Sequence, residues 1–216
     1  MDEKDKKVTA YEIACTEIKK SIISGFYKSG DRLIEQDIAE RLNLSRTPVR
    51  EALKHFEIEG FLVREPYKGM IVRRFDIREI INYYQVRSVL EALCAYLVTR
   101  NADDQLKEYL ISNIFLSKKA IEDKDYKLLA QLNNDFHAKL ANASENDMLL
   151  QMLEKLRVYS SIMRISIWSI PDRPKTAVEE HENIVNGIVK GKKFLAAKKS
   201  IDHMVSSFKY AKLILS

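Results

Sequence analysis

One helical segment, Arg46–Ile58, constrains the fold of this 216-residue chain more than any other feature. At helical spacing, one face of this segment carries the basic and polar side chains of Arg46, Thr47, Arg50 and Lys54. The opposite face carries the apolar side chains of Val49, Ala52 and Phe56. Ser45 can cap the helix, and Pro48 falls in the first turn, where a missing N–H costs nothing. A solvated surface helix has the same pattern, so the neighbouring elements must decide its role.

The elements on either side complete a small fold. Helical periodicity predicts a helix over Val8–Ile23 and a second, short helix over Ile34–Leu42. Two β-prone runs, Phe61–Arg64 and Met70–Arg74, follow the basic helix and are separated by a loop that contains Pro and Gly. Three helices and a hairpin predict a winged helix-turn-helix, which we assign to residues 1–75.

The remaining residues, 76–216, show helical periodicity only. The predicted helices are Ile77–Arg100, Asp104–Glu122, Tyr126–Asn142, Asn146–Trp168, Lys175–Lys190 and Lys193–Leu215. With 46% hydrophobic and 31% charged residues, the composition is that of a packed, helix-rich protein. We therefore expect a mostly α protein, with the winged helix-turn-helix followed by an all-α six-helix bundle.

Charge and cysteine content narrow the class of protein. The net charge is +5, and the segment from Arg41 to Arg74 holds eight basic against four acidic side chains, which favours a polyanionic partner. Cys15 and Cys94 are the only cysteines and lie in separate segments, so a disulfide framework is not expected. No apolar stretch reaches the ~18 residues of a membrane span. We expect a cytoplasmic protein that does not associate with membranes.

The basic face carries the chemistry of DNA recognition. Guanidinium groups pair bidentately with guanine O6 and N7, and the first turn of a recognition helix presents them to the major groove. Arg46 and Arg50 are the candidates for base contacts. In the predicted hairpin loop, Lys68 and Gly69 can approach minor-groove phosphates, because glycine permits close backbone contact.

The string from Gly30 to Leu53, which ends in the sequence SRTPVREAL, closely resembles the DNA-binding domain of GntR-type regulators. Asn43 stands where glycine is common in that family, a mild departure because Asn also accepts a left-handed conformation. The resemblance implies contacts with double-stranded operator DNA from Gln36, Ser45, Arg46, Thr47, Arg50 and Gly69.

Three of the four histidines fall in the predicted bundle: His137, His181 and His203. Asn133 precedes His137 by four residues, so both side chains emerge on the same helical face. Four donors from three helices can converge on one ion, although a lone helical histidine is more often a hydrogen-bonded core or surface residue. Three imidazoles favour zinc or nickel over magnesium or calcium.

The bundle resembles the effector-binding FCD domain of the FadR subgroup, in the strings Val86–Glu91, Asn133–His137, Glu180–Ile184 and Asp202–His203. Six helices imply its VanR-like branch. The resemblance implies a divalent ion beside a carboxylate effector, with Asn133, His137, His181 and His203 as ligands and Arg87 as a partner of the effector carboxylate. Asn133 departs from the Asp frequent at its position, and a neutral amide stabilises a cation less than a carboxylate.

These features predict a homodimeric transcription regulator, expected to be a repressor, whose operator affinity is controlled by a small organic acid bound beside a divalent metal. One alternative is a metal-responsive regulator in which the ion itself is the signal. A remote alternative is a metal-dependent hydrolase with a DNA-binding head, but no second carboxylate or nucleophile stands at a recognisable spacing. We therefore expect no enzyme activity.

Overall fold

The computed structural model describes residues 8–23, 25–74, 76–156, 159 and 170–215. Internal contacts divide the chain into two compact units, and the first gives way to the second between Asp76 and Ile77. Within the described residues, no helix has both the length and the hydropathy that crossing a bilayer requires.

The first unit is a winged helix-turn-helix, as predicted. Its helices are α1 (Ala10–Ile23), α2 (Glu35–Leu42) and α3 (Arg46–Ile58), and its strands are β1 (Arg32–Leu33), β2 (Leu62–Glu65) and β3 (Gly69–Val72). The strands form an antiparallel sheet in the order β1-β3-β2, in which Leu33 pairs with Met70 and Glu65 with Gly69. The sequence did not predict β1, because two residues are too few to show a period of two.

Local backbone features place the recognition helix α3. Asn43 ends α2 in the left-handed region, with φ 52° and ψ 45°, so the chain turns sharply into the next helix. Ser45 occupies the N-cap position of α3 with an extended backbone, but its side chain makes no capping hydrogen bond, contrary to expectation. The predicted packing face is confirmed, because Val49, Ala52 and Phe56 are buried.

Within the described residues, the second unit consists of six helices: α4 (Ile77–Asn101), α5 (Asp104–Glu122), α6 (Tyr126–Ala143), α7 (Asp147–Lys155), α8 (Arg173–Val189) and α9 (Lys193–Leu215). The predicted all-α character is confirmed. The predicted helix Asn146–Trp168 is interrupted, since α7 ends at Lys155 with Leu156 as its C-cap. Most of the remaining predicted helix lies outside the described residues.

Side-chain caps at the helix N-termini and contacts between helices stabilise the arrangement of this unit. The side chains of Asp103, Asp125 and Asn146 each accept a hydrogen bond from a backbone N–H in the first turn of α5, α6 and α7. Helices α4 and α9 run antiparallel, because Tyr84 contacts Phe208 at one end and Tyr96 contacts Phe194 at the other.

Glycine allows α8 and α9 to approach each other. Helix α8 continues through Gly187 to Val189, in agreement with the predicted helix Lys175–Lys190. A Cβ atom at Gly187 would lie 2.9 Å from the backbone of Ala196, so only glycine fits at this helix crossing. Gly191, with φ 65°, makes the actual turn between the two helices. This crossing brings the histidines of α8 and α9 together.

Candidate DNA interface and metal centre

The recognition helix presents its polar face to solvent. Ser45, Arg46, Thr47 and Arg50 are exposed at the start of α3, on the side opposite its buried residues. The arginine side chains are 61% and 53% exposed, so both guanidinium groups are accessible to a partner. Their assignment as DNA contacts stays a prediction, and the exposure is compatible with it.

The structure adds one residue to this face that sequence reasoning missed. Glu35, in the first turn of α2, accepts hydrogen bonds from Arg50 Nε at 2.9 Å and Arg50 Nη2 at 2.8 Å, and from Arg46 Nε at 3.2 Å. The hydrogen bond from Arg50 is the main cause that lowers the pKa of the Glu35 carboxyl below its ordinary value. Glu35 therefore stays negatively charged between the two arginines at neutral pH.

The wing carries the other predicted contacts. Gly69 begins β3 with φ 81°, a conformation that other residues rarely adopt. Lys68 is exposed and its Nζ lies 2.9 Å from Glu65 Oε2. Gln36, on α2, is also exposed and donates a hydrogen bond to Glu40 Oε1 at 3.0 Å. The long side chains here are held by neighbouring carboxylates, as on α3.

The second unit gathers three histidines in its interior. One ligand atom from each of His137, His181 and His203 lies within 4.8 Å of the others. His181 and His203 are both 3% exposed, and their Nε2 atoms are 3.2 Å apart. Asn133 is buried on α6, one turn before His137. The structure therefore brings together the three histidines that the sequence singled out.

A buried carboxylate orients His137. Glu91 Oε2 lies 3.2 Å from His137 Nδ1, and Glu91 Oε1 accepts hydrogen bonds from Arg87 Nε at 3.0 Å and Nη2 at 2.7 Å. Arg87 also donates to the hydroxyl of Tyr83. A carboxylate only accepts, so Nδ1 carries the proton and Nε2 keeps its lone pair. Arg87 is thus engaged within its own helix, and its pairing with an effector stays a prediction.

A second arginine–carboxylate–histidine series of hydrogen bonds orients His203. Glu180 Oε2 lies 2.7 Å from His203 Nδ1 and accepts a hydrogen bond from Arg173 Nη1 at 2.9 Å. Arg173 is itself buried and donates through Nη2 to Ser207 at 2.7 Å. Carboxylates behind histidine ligands fix the ring and its tautomer in metal sites. His203 therefore also presents Nε2 to the cluster.

Burial keeps His181 and His203 neutral, and both neighbouring carboxylates stay charged. Burial lowers the pKa of His203 to about 4 and that of His181 well below its ordinary value. Burial opposes the charged form of Glu91, but His137 and Arg87 outweigh it and hold the pKa of this carboxyl low. The pKa of Glu180 is also lowered, because the effects of His203 and Arg173 outweigh that of burial. Neutral imidazole is the form that binds a metal ion.

The donor set fits a divalent transition metal. Two nitrogen ligands at ~2.0–2.1 Å from a tetrahedral zinc lie about 3.3–3.4 Å apart, close to the separation of His181 Nε2 and His203 Nε2. Three imidazole nitrogens and one amide oxygen also match the preference of zinc and nickel over hard cations. The residues present therefore fit such an ion, with Asn133 as a fourth donor by sequence position.

Sequence reasoning missed three charged residues of this site: Glu91, Glu180 and Arg173. No spacing that we recognised in the sequence pointed to the two carboxylates that the structure places beside His137 and His203. One signal was available, because Arg87 and Glu91 are four residues apart on one helix and could have been predicted to pair. Arg173 and Glu180 are seven residues apart and fall on the same helical face, but their contact with His203 requires the packing of α9.

The two units together define the class of protein. A winged helix-turn-helix with an exposed arginine pair, followed by a separate helical unit, is the organisation of a DNA-binding transcription regulator. Two family models match the chain: "Bacterial regulatory proteins, gntR family" over residues 10–72 and "FCD domain" over residues 82–206. The chain belongs to the GntR family of bacterial transcription regulators and carries the FCD domain.

Relatives and solved structures agree with this assignment. The chain is 28% identical to the HTH-type transcriptional regulator YdhC of Bacillus subtilis, over 98% of this chain and 95% of the relative. It is 29% identical to the gluconate operon transcriptional repressor of Bacillus licheniformis, over 82% of this chain and 72% of the relative. The fold resembles that of McbR from E. coli, with a TM-score of 0.79 and 22% identity over 95% of this chain and 98% of that one. The chain is a regulator and not an enzyme.

Proposed function

We propose that this regulator is a cytoplasmic, homodimeric repressor that releases its operator in response to a small organic acid bound beside a divalent ion. Zinc is the ion we favour, with nickel as the alternative. The observation that carries the proposal is the buried cluster of His137, His181 and His203, with ligand atoms within 4.8 Å of one another, in the unit that follows a DNA-binding unit. Repression is favoured because relatives from Bacillus licheniformis and Paenarthrobacter nicotinovorans are described as operon repressors.

Operator binding is assigned to the exposed face of α3 and to the wing. Arg46 and Arg50 contact base edges in the major groove, and Gln36, Ser45 and Thr47 contact the backbone or base edges beside them. Lys68 and Gly69 approach the minor groove from the wing. Base contacts specify the sequence and phosphate contacts hold the register, so the two kinds of residue should respond differently to substitution.

Two substitutions test this assignment. Arg46→Ala should weaken binding by ~1–3 kcal/mol and relax specificity at one base pair, because it removes a bidentate base contact. Lys68→Ala should weaken binding to every DNA sequence by the same factor and make the affinity depend less steeply on salt concentration, because it removes a phosphate contact. Fluorescence anisotropy with duplexes from the protein's own promoter region, at several salt concentrations, measures both effects. Unchanged affinity in both variants would show that this face does not bind DNA.

The metal assignment predicts a specific gain in stability. Zinc added to chelator-treated protein should raise the melting temperature, because an ion that binds only the folded state stabilises it, by ~2.7 kcal/mol at a hundredfold excess over Kd. His203→Ala should abolish this gain. His55→Ala is the matched control, since His55 lies on α3 in the first unit, next to Glu59, and should leave the gain intact. If zinc raised the melting temperature of both variants equally, the cluster would not be the site at which the metal binds.

The charge balance of the site supports an anionic effector. Glu91 and Glu180 are paired with arginines, Asn133 is neutral, and an imidazole binds a metal ion in its neutral form, so the protein leaves the +2 charge of the ion without compensation. A carboxylate on the effector would supply the missing negative charge. The same reasoning leaves open the metal-responsive alternative, in which loading with the ion is itself the signal.

A titration separates the two mechanisms. Operator affinity is measured for chelator-treated protein, for zinc-loaded protein, and for zinc-loaded protein with a panel of small mono- and dicarboxylic acids. We expect zinc alone to change affinity little and one of the acids to weaken it by roughly fivefold or more, the usual range of allosteric coupling. A large effect of zinc alone, without further change on adding acids, would favour the metal-responsive mechanism.

Dimerisation is assigned to an exposed apolar face on α4 and α9. Val86, Val89 and Leu93 on α4 lie one or two helical turns apart, and Ile201 and Val205 lie one turn apart on the neighbouring α9; all five are at least 40% exposed. Contiguous exposed apolar surface marks an association site, and a two-fold axis lets one face bind its own copy. Two DNA-binding units are what a palindromic operator requires.

Glutamate at the centre of this face should dissociate the dimer. Val89→Glu places a charge where the proposed interface is apolar, so the molar mass measured by light scattering should fall toward that of one chain. Ile111→Glu is the control, because Ile111 is similarly exposed but lies on α5. A dimer retained in Val89→Glu, or lost equally in Ile111→Glu, would exclude this face as the interface.

A further inference from the structure

We propose that Glu35 is a specificity-determining residue of the DNA interface, which positions the guanidinium groups of Arg46 and Arg50 for base recognition. The proposal rests on the assignment of those two arginines to operator binding. Glu35 lies on α2, and the turn at Asn43 brings the first turn of α2 against the first turn of α3. Its carboxylate, 22% exposed, joins both arginines into one group.

The geometry of the contacts leaves the arginines able to bind a base. Glu35 engages Arg46 through Nε, and Arg50 through Nε and one hydrogen of Nη2. A guanidinium has five N–H donors, so both Nη groups of Arg46 and the Nη1 end of Arg50 stay available. Guanine needs two donors for its O6 and N7 atoms. The carboxylate therefore fixes the plane of each guanidinium without occupying the hydrogens that would contact a base.

Glu35 has two opposite effects on binding. Its negative charge repels phosphates, which weakens binding to any duplex. Its hydrogen bonds order two long side chains before DNA arrives, so less conformational entropy is lost on forming the base contacts. The first effect is the same for every sequence, whereas the second operates only where the arginines meet the correct base edges. Glu35 should therefore lower overall affinity and raise discrimination between operator and other DNA.

Two isosteric variants test the proposal. Glu35→Gln and Asp37→Asn each remove one negative charge from the first turn of α2, but Asp37 is exposed and has no hydrogen bond or ion pair with Arg46 or Arg50 in the described structure. Each full-length variant is titrated by anisotropy with a promoter duplex that the wild type binds and with a scrambled duplex of equal composition. We expect both to bind the scrambled duplex more tightly, and only Glu35→Gln to reduce the ratio of the two affinities, by about threefold to tenfold.

The outcomes distinguish a failure of the role proposed for Glu35 from a failure of the proposed operator binding. Equal ratios in Glu35→Gln and Asp37→Asn would overturn the role of Glu35 and reduce its contacts to ordinary surface ion pairs. A wild type that does not prefer its promoter duplex would overturn the operator assignment itself. Circular dichroism verifies folding. If Glu35→Gln is unfolded, Glu35→Asp provides the test, because it keeps the charge but shortens the reach; an unchanged ratio in that variant would equally overturn the proposal.

Discussion

The helical unit depends on one constraint, which is that every charge it buries must be paired. Glu91 and Arg173 are buried, their partners Arg87 and Glu180 are largely buried, and each carboxylate also accepts from a histidine. Removing one partner of a buried ion pair costs about 3–5 kcal/mol, because the other charge is left without compensation. Since that is a large part of the stability of a typical domain, these contacts fix the positions of the helices that carry them.

These pairs also connect the site to the rest of the chain. One series of hydrogen bonds joins α4 to α6 through Glu91 and His137. The other joins α8 to α9 through Glu180 and His203. Helix α4 begins at Ile77, directly after the last residue of the DNA-binding unit. In the proposed mechanism, a ligand that shifts His137 would act, through Glu91, on the helix that continues in sequence from that unit. By linkage, an effector that weakens operator binding must itself bind the DNA-bound form more weakly.

The sequence predicted those features that are local. The recognition helix agrees with its prediction at both ends, and Asn43 adopts the left-handed conformation expected for it. The strand Arg32–Leu33 escaped prediction because it exists only through its pairing with β3. The three histidines stood out because histidine is rare in this chain, with four in 216 residues, and the resemblance to the FCD domain implied their role as ligands. Glu35 and Glu180 were missed because acidic side chains are common, and only the packing of a second helix distinguishes these two.

Arginines held by glutamates occur at both sites, and burial decides what each can do. The pair of Arg87 and Glu91 is 13% and 4% exposed, so separating it would strand two charges in a medium of low dielectric. The pair of Arg50 and Glu35 is 53% and 22% exposed, and such ion pairs contribute only about 0–1 kcal/mol. The buried pairs are therefore rigid supports for the imidazole cluster. The exposed pair contributes little to stability, but it orients its arginines while leaving their other N–H groups accessible to a base edge.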